Sequence, residues 1–497
     1  MEYQEYGFDQ QRLGCRQAWI DQSLEPYPNA APGGQGIEAL VAAALAREGA
    51  GQPLAESVRT SGRVWGRRAM GRSLFADLRQ GEGRIQLYFS RGDFEPEAWD
   101  RLDGLALGDL IGVEGELFRT RTGELSIRVT AWRLEAKALV PVPVGKESGD
   151  QVYYRGSDTE MRYRQRYLHW LLEPQARQRI RRRAQIVAGI RQYLGDADFL
   201  EVDTPTIAPM AGGALARPFA TSIRALDHQQ AFLRIAPELH LKQYLVGGFE
   251  RVFTVCQNFR NEGIDRSHNP EFTMVEWYEI HTDYRRQMQR FEELVAGICQ
   301  AVCGSTEVEY QRQRLDFAPP WPRLTVLDAL ARYGGVEVGD WDAAQVRAEL
   351  TRRGLPCQAD WSWGEAVGEL FEALCVDLLQ QPVFIVDYPL DLSPLARRHP
   401  TDGRLVERFE VYVAGMELGN AYSELNDPVE QLGRLAQQRK DGDELPAADA
   451  EFIRALGCGM PPAGGVGLGV DRLVMLLTDA VSIRDVVAFP VVKPLRG

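Results

Sequence analysis

The sequence predicts an α+β protein in two folded parts, a small all-β barrel followed by a larger domain built on an antiparallel sheet. Three observations carry this. From Ser57 to about Pro143 the chain breaks into short alternating stretches, SVRTSGRVWG, SLFADLR, GRIQLYFS, DLIGVEGELFRT and ELSIRVTAWRLEAKAL, separated by Gly or Gly-Glu turns. From Gln175 onward, helical runs interleave with strand-like ones. A length of 497 residues is enough for two or three domains, each with its own core.

Residues 1–56 read as a helical lead-in: the run Ile37 to Glu48 follows a turn-rich segment, PYPNAAPGGQG, that breaks any longer helix. Five or so strands over residues 57–145 suit a small closed barrel, for which an OB-fold is the expectation. VPVPVGKESGD reads as a linker into the larger domain, residues 146–497. Helical period returns in Gln175 to Leu194, where Ile180, Ile186, Val187, Ile190 and Leu194 share a face and six Arg occupy much of the rest. FLEVDTPTI is strand-like, and Pro205 confines it to a strand end or a sheet edge. Between Phe232 and Tyr284 strand patterns surround one helix, PELHLKQYLVGG. Residues of about 325–380 look like a helical insertion, after which PVFIVDYP and FEVYVAGMEL resume strands and GGVGLGVDRLVMLLT closes the domain.

Composition is that of an ordinary globular chain, 44% apolar and 26% charged, which argues against disorder. No stretch approaches the roughly 18 uninterrupted apolar residues of a membrane span. The start, MEYQEYGFDQQRLG, has neither a basic nor an apolar leader region, so a cytoplasmic location is expected. Seven cysteines are too sparse for a disulfide framework, and the close pair Cys299 and Cys303 lacks a second pair at zinc-ligand spacing; buried free thiols are expected. A formal charge of -13 argues against indiscriminate nucleic-acid binding. Locally the balance reverses: between Arg59 and Arg91 stand eight Arg against two acids, with Trp65, Phe75, Tyr88 and Phe89 interleaved. That mixture fits single-stranded bases and their phosphates, and fits a solvated strand face equally well.

The clearest chemical constellation is RVFTVCQNFRNEGIDRSHNPEFTMVEWYE, Arg251 to Glu279. A strand ending in Phe-Arg-Asn-Glu, a polar loop and a strand starting His-Asn-Pro-Glu-Phe form a hairpin that directs Arg260, Glu262, His268 and Phe272 toward one place. A fixed guanidinium fork suits charge neutralisation at a reacting phosphate better than a mobile ammonium. Gly464, Gly465, Gly467 and Gly469 let the backbone approach a nucleotide, and Arg472 begins an apolar helix beside them. The bland alternatives are a surface hairpin with ordinary ion pairs and a tight strand-to-helix turn with a solvated Arg. Glu410 and Glu417 flank FEVYVAGME, and a spacing of seven puts them on opposite faces of an ideal strand, so a bend or bulge near Gly415 is needed to unite them.

FRNEGIDRSHNPEFTMVEWY resembles motif 2 of class II aminoacyl-tRNA synthetases, FLEVDTPTI resembles motif 1, and GVGLGVDRLVML resembles motif 3. MAGGALARPF, RIAPELHLKQYLVGGFERVF, SPLARRHP, GMELGNAYSELNDP and RDVVAFP are similar, in order and spacing, to the lysyl branch of that family, and RYRQRYL to the segment that joins its barrel to its catalytic domain. The resemblance runs from roughly residue 10 to the C-terminus. It implies a class II catalytic domain behind an anticodon-binding OB-fold, lysine activation with ATP, transfer to tRNA(Lys), Mg²⁺ and a homodimer.

Residue by residue, the resemblance implies that Arg260 and Arg472 serve the reaction electrostatically and that Glu262, His268, Asn269 and Phe272 join them around ATP. Arg472 would hold the γ-phosphate and sandwich adenine with Phe272. Glu410 and Glu417 would hold Mg²⁺, which needs few protein oxygens when phosphates supply the rest. Glu424 and Tyr278, with Glu276 close by, would take the ε-ammonium; Glu238 and Gly213 the α-amino group; Asn420, with Arg260, the carboxylate; Tyr422 stands beside them. Burying an ammonium is expensive unless carboxylates meet it, which is the chemistry those acids supply. Phe75 and Gln86 match the spacing that stacks and reads an anticodon base. Motif 1 implies the dimer interface, where the apolar Phe199, Leu200 and Val202 are compatible with burial.

Two positions depart from the pattern. His169 stands where an acidic residue is usual, and Tyr422 replaces a Phe of many bacterial relatives. A relative that modifies a protein side chain would lack the barrel, and aspartyl or asparaginyl specificity would need cations where Glu276, Glu424 and Tyr278 stand. A catalytically dead nucleic-acid binder would not need Arg260, Glu262 and Arg472 together.

Overall fold

The computed structural model describes residues 3–29, 34–54, 57–143, 146–148, 151–153, 159–208, 216–437 and 447–493. Two compact units emerge, Met1–Pro174 and Gln175–Gly497.

In the first unit five strands close into a barrel in the order β1-β2-β3-β5-β4: β1 Ser57–Met70, β2 Ser73–Gln80, β3 Gly83–Ser90, β4 Leu110–Arg119 and β5 Leu125–Ala136. The period-2 pattern is the cause. Leu74, Ala76 and Leu78 alternate inward with Phe75 and Asp77 outward, and Ile85, Leu87 and Phe89 with Gln86 and Tyr88. The lead-in is no mere appendage. Besides the expected helix, Ile37–Gly49, it holds an unexpected one, Gln10–Asp21, and Trp19, Ile37, Leu40 and Ala44 share the core of the barrel. The stretch read as a linker contains a short strand, Lys146–Ser148, paired with Gln151–Tyr153 just after it. His169 is buried and bonded to Glu173, Nε2 to Oε2, at 3.0 Å.

The second unit is an eight-stranded sheet. Its order is Arg323–Thr325, Val383–Pro389, Leu405–Val413, Met416–Ser423, Ala463–Gly469, Glu271–Ile280, Arg251–Phe259, Leu200–Glu201. It is antiparallel except for the outermost pair at each edge. FLEVDTPTI supplies the edge strand, as Pro205 requires, although only Leu200–Glu201 pairs there. Phe199 and Val202 are buried inside the chain's own cores, and of the three apolar residues of this segment only Leu200 is exposed.

Alternation gives the sheet two chemically different faces. Val275, Trp277, Phe409, Val411, Ala421, Val466 and Leu468 enter a core with the helices Pro174–Asp196, Tyr284–Cys303 and Val470–Leu477. Their neighbours in sequence, Glu276, Tyr278, Arg408, Glu410, Asn420 and Tyr422, therefore face the other way. The insertion holds helices Ala343–Arg353 and Trp363–Cys375, both opened by capping boxes, and packs its apolar side against Val383, Ile385 and Tyr388. All seven cysteines are free, but only Cys256, Cys299 and Cys375 are fully buried, because the others lie on partly solvated faces. Among the described residues no helix is long and apolar enough to cross a membrane.

Candidate active site

The polar face of the sheet is built row by row. In one row Glu276 lies opposite Gly467, Gly467 opposite Asn420, and Asn420 opposite Glu410. In the next, Tyr278 lies opposite Gly465, Gly465 opposite Tyr422, and Tyr422 opposite Arg408. The glycines are a sunken floor. A Cβ on Gly465 would come within 2.2 Å of both Glu424 Oε1 and Tyr278 Cε1, so only glycine leaves room for those side chains.

Above this floor Glu238, Glu276, Tyr278 and Glu424 are all buried. Glu238 starts the helix Glu238–Val246, and Glu424 follows the strand Met416–Ser423. The Tyr278 hydroxyl lies 3.3 Å from Glu276 Oε2. Burial pushes the Glu276 carboxyl up to about 8, helped by the charge of Glu238. Burial likewise pushes Glu424 up to about 8, against the pull of Lys242. Lys242, one turn on from Glu238, was not foreseen; its i,i+4 relation to Glu238 in PELHLKQ was the available signal.

Arg408 is a second unforeseen member. Its guanidinium gives Nε to Asn420 Oδ1 at 3.0 Å, Nη1 to Ser393 Oγ at 2.8 Å, and Nη2 to Glu410 Oε1. It lies over the Tyr388 ring at 4.8 Å and the Tyr422 ring at 5.7 Å. Asn420 Nδ2 donates to Tyr422 Oη at 2.8 Å. Glu410 Oε2 accepts from Tyr388 and Tyr412 hydroxyls at 2.9 and 2.6 Å.

Glu410 and Glu417 both come to lie near Tyr412, though not by the expected route. FEVYVAGME is not one bent strand but two strands of a hairpin, Leu405–Val413 and Met416–Ser423, turning at Ala414 and Gly415, which both have positive φ. The turn, with a register shift between Val411 and Tyr412, resets the parity and sets Glu417 opposite Tyr412. Both carboxylates raise the Tyr412 hydroxyl, after burial, which marks them as neighbours. Two carboxylates on one hairpin, Glu417 partly exposed, fit a divalent ion completed by phosphate and water; among the described residues no three acidic, His or Cys ligands gather, as a full protein cage would require.

Motif 2 forms the expected hairpin, Arg251–Phe259 paired with Glu271–Ile280. Arg260 stacks over Phe272 at 5.2 Å, and its buried Nε has no hydrogen-bond partner. Arg472 reaches toward Glu417 Oε2 at 3.4 Å and His268 Nε2 at 3.2 Å. His268 Nδ1 is in turn bonded to Asp265 at 2.8 Å. Asn269 is buried with Oδ1 unpartnered, and Glu262 is exposed, with the Arg217 backbone N–H 3.4 Å from its carboxylate. Asp471 ties the two motifs together: it receives Arg183 and, at 2.7 Å, the backbone N–H of Thr273. Gly213 lies outside the described residues.

On the barrel, Phe75 and Gln86 occupy the outward face. Phe75 stacks obliquely on Tyr88 with ring centroids 5.2 Å apart, and Tyr88 meets Phe118 edge-on at 5.8 Å. Gln86 Oε1 accepts from Ser126 Oγ at 3.0 Å. Part of the local arginine excess is consumed internally: Arg84 pairs with Asp77 at 3.2 Å, and Arg79 covers Trp65 at 4.9 Å.

A sheet whose polar face joins a glycine floor, acidic hairpin and motif-2 guanidinium defines a class of enzyme, and comparison agrees. Residues 158–493 match the family described as tRNA synthetases class II (D, K and N), and residues 58–135 match the OB-fold nucleic acid binding domain; the chain belongs to this class II family. Within it, the chain is similar to proteins named Lysine--tRNA ligase. That of Moorella thermoacetica is 44% identical over 444 residues, 88% of this chain and 89% of the relative. That of Parasynechococcus marenigrum is 46% identical over 449 residues, 88% of each. That of Dehalococcoides mccartyi strain CBDB1 is 42% identical over 476 residues, 95% of this chain and 94% of the relative.

Proposed function

We infer that this chain is a lysine-tRNA ligase. It activates L-lysine with ATP to lysyl-adenylate and pyrophosphate, then transfers the lysyl group to the 3'-terminal adenosine of tRNA(Lys). The observation that carries this is the buried cluster of Glu238, Glu276 and Glu424, with Arg260 near enough for its charge to act on Glu276. An anionic pocket demands a cationic side chain, which decides for lysine over the aspartate and asparagine of the same family.

No nucleophilic side chain is required. A lysine carboxylate oxygen attacks the α-phosphorus and pyrophosphate leaves; a ribose hydroxyl of the terminal adenosine then attacks the acyl carbon and AMP leaves. The protein contributes orientation and charge. We assign the ε-ammonium to Glu424 and Tyr278 with Glu276 nearby, the α-amino group to Glu238 and Gly213, and the carboxylate to Asn420 and Arg260, with Tyr422 shaping the wall. Arg260, Glu262, His268, Asn269, Phe272 and Arg472 surround ATP. Glu410 and Glu417 are the residues to hold Mg²⁺, which neutralises the triphosphate when bound. Phe75 stacks an anticodon base and Gln86 reads its edge. A homodimer in the cytoplasm completes the proposal, supported by the family resemblance and by the exposed Leu200 at the sheet edge.

The test is amino-acid-dependent pyrophosphate exchange with each amino acid in turn, followed by charging of unfractionated tRNA. Lysine alone should support exchange; exchange driven by aspartate or asparagine overturns the assignment.

A further inference from the structure

Lys242 is a lysine with no exposure to solvent. Its Nζ sits 2.5 Å from Glu424 Oε2 and 2.8 Å from Glu238 Oε1, with the Phe452 ring 5.7 Å away. Withdrawing an ammonium from water costs several kcal/mol unless carboxylates meet it, and on stability grounds an apolar side chain would often serve as well. Both its partners are carboxylates assigned above to substrate. Neither Glu424 oxygen makes a hydrogen bond of good geometry, but Oε1 lies outside the ion pair as well, leaving a buried acceptor directed at the space over Gly465.

Resting on the lysine-ligase reading, we propose that Lys242 is a built-in counter-cation that sets the charge of the amino-acid pocket to match one lysine. With its acids ionised, as pairing with a bound ammonium requires, the pocket presents three carboxylates, Glu238, Glu276 and Glu424, against two cations, Lys242 and Arg260. One negative charge is left over. Lysine carries two ammonium groups and one carboxylate, a net charge of the opposite sign and equal size. Arg408 and Glu410, next on the same face, satisfy one another and leave this balance unchanged.

With Lys242 neutral, the pocket would hold one more uncompensated carboxylate than lysine can match. Buried carboxylates relieve such an excess by taking up a proton. The groups facing the Lys242 ammonium are Glu238 on its own helix and Glu424 from the strand end; Glu276, Tyr278 and Tyr422 lie around those carboxylates, and the Phe452 ring closes the side. Burial pushes the ammonium down, but Glu238 and Glu424 outweigh it and hold it above the ordinary lysine range, so it stays charged wherever the enzyme works. Lys242 does not reach the reacting atoms. It is a positioning residue that favours the ionised form of Glu424 against the cost of burial, while leaving Oε1 outside the ion pair.

The experiment compares wild type with Lys242→Met in pyrophosphate exchange, measuring KM for lysine and for ATP across pH. The expected result is a rise in lysine KM of roughly tenfold or more near neutral pH, with the acid limb of kcat/KM for lysine displaced upward by about one pH unit, and ATP KM unchanged. A lysine profile with the wild-type midpoint overturns the proposal, because a purely structural lysine would alter melting temperature and leave that midpoint in place. Lys242→Gln, which keeps a donor and similar length, carries the same measurement if the Met variant does not fold. Failure of both to fold assigns the ammonium to the core instead and equally overturns it. Absence of lysine-dependent exchange in the wild type is a separate outcome, which sinks the ligase reading itself.

Discussion

Arg472 stands 3.2 Å from His268, two residues brought together from opposite ends of the catalytic unit's motifs. Their meeting follows from Asp471, which is held by Arg183 and the Thr273 N–H and so fixes the first turn of the helix Val470–Leu477 against motif 2. Arg472 is therefore held by the protein itself, toward the region flanked by Glu417. Arg472→Ala is expected to lower kcat/KM for ATP in pyrophosphate exchange by roughly 10²–10³, the scale for losing one preorganised charge at a reacting centre. Lysine KM should change little. A loss confined to lysine KM would place Arg472 elsewhere in the mechanism.

Glu276 and Glu424 predict how lysine binding depends on pH. Burial raises both carboxyls to about 8, so each takes up a proton far more readily than an exposed carboxylate, Glu424 doing so against the pull of Lys242. A protonated carboxyl cannot pair with an ammonium, and lysine affinity should weaken as pH falls through about 8. Linkage gives the matching stability sign. A carboxyl whose folded pKa is raised binds protons in the folded state that the unfolded state has lost, so its burial becomes more costly as pH climbs from the ordinary carboxylate range toward 8. Lysine relieves that cost, so the rise in melting temperature that saturating lysine produces should be larger above pH 8 than near neutrality. A lysine-induced shift independent of pH would contradict it.

Gly465→Ala probes the floor of the pocket. The added methyl would lie 2.2 Å from Glu424 Oε1 and Tyr278 Cε1, both on buried side chains, whereas at Gly467 the nearest atom is the Met274 methyl at 3.0 Å, at the end of a flexible chain. Overpacking of the first kind costs typically about 1–3 kcal/mol. Lysine-dependent exchange should collapse in Gly465→Ala and survive in Gly467→Ala. Equal kinetics for the two variants would show that the glycine floor does not shape the lysine pocket.

Local pattern revealed the elements better than their contacts. The barrel strands, the Gln175–Leu194 helix and the motif-2 hairpin are visible because period and turn chemistry are written in neighbouring residues. The Glu410–Glu417 pair shows where this ends. A count of seven along one strand says opposite faces, and only the positive-φ turn at Ala414 and Gly415 makes them neighbours. The acids of the proposed lysine pocket could be named from resemblance, but Lys242 and Arg408 read in sequence as a helix lysine and a strand arginine. Their value lies in cross-strand and cross-helix contacts with Glu424, Asn420 and Glu410, which no local window contains. Phe199 and Val202 show a further limit of local reading: apolar character is equally consistent with a subunit interface and with a core, and both side chains are buried in the chain's own cores.

Phe75 separates the two halves of the proposed reaction. Its ring is partly exposed on the outward face of the barrel, supported by Tyr88 at 5.2 Å, and it belongs to the compact unit that does not contain the catalytic sheet. Base stacking on an aromatic ring contributes about 1–3 kcal/mol, so Phe75→Ala should raise KM for tRNA(Lys) by roughly 5–150-fold. Pyrophosphate exchange needs no tRNA and should be unchanged in the same preparation. Gln86→Ala should lose less affinity but discriminate more poorly among tRNAs, since an amide reads a base edge while a ring supports any base. If Phe75→Ala charges tRNA(Lys) with wild-type KM, the outward aromatic cluster of Phe75, Tyr88 and Phe118 is a packing feature of the barrel and the anticodon is read elsewhere.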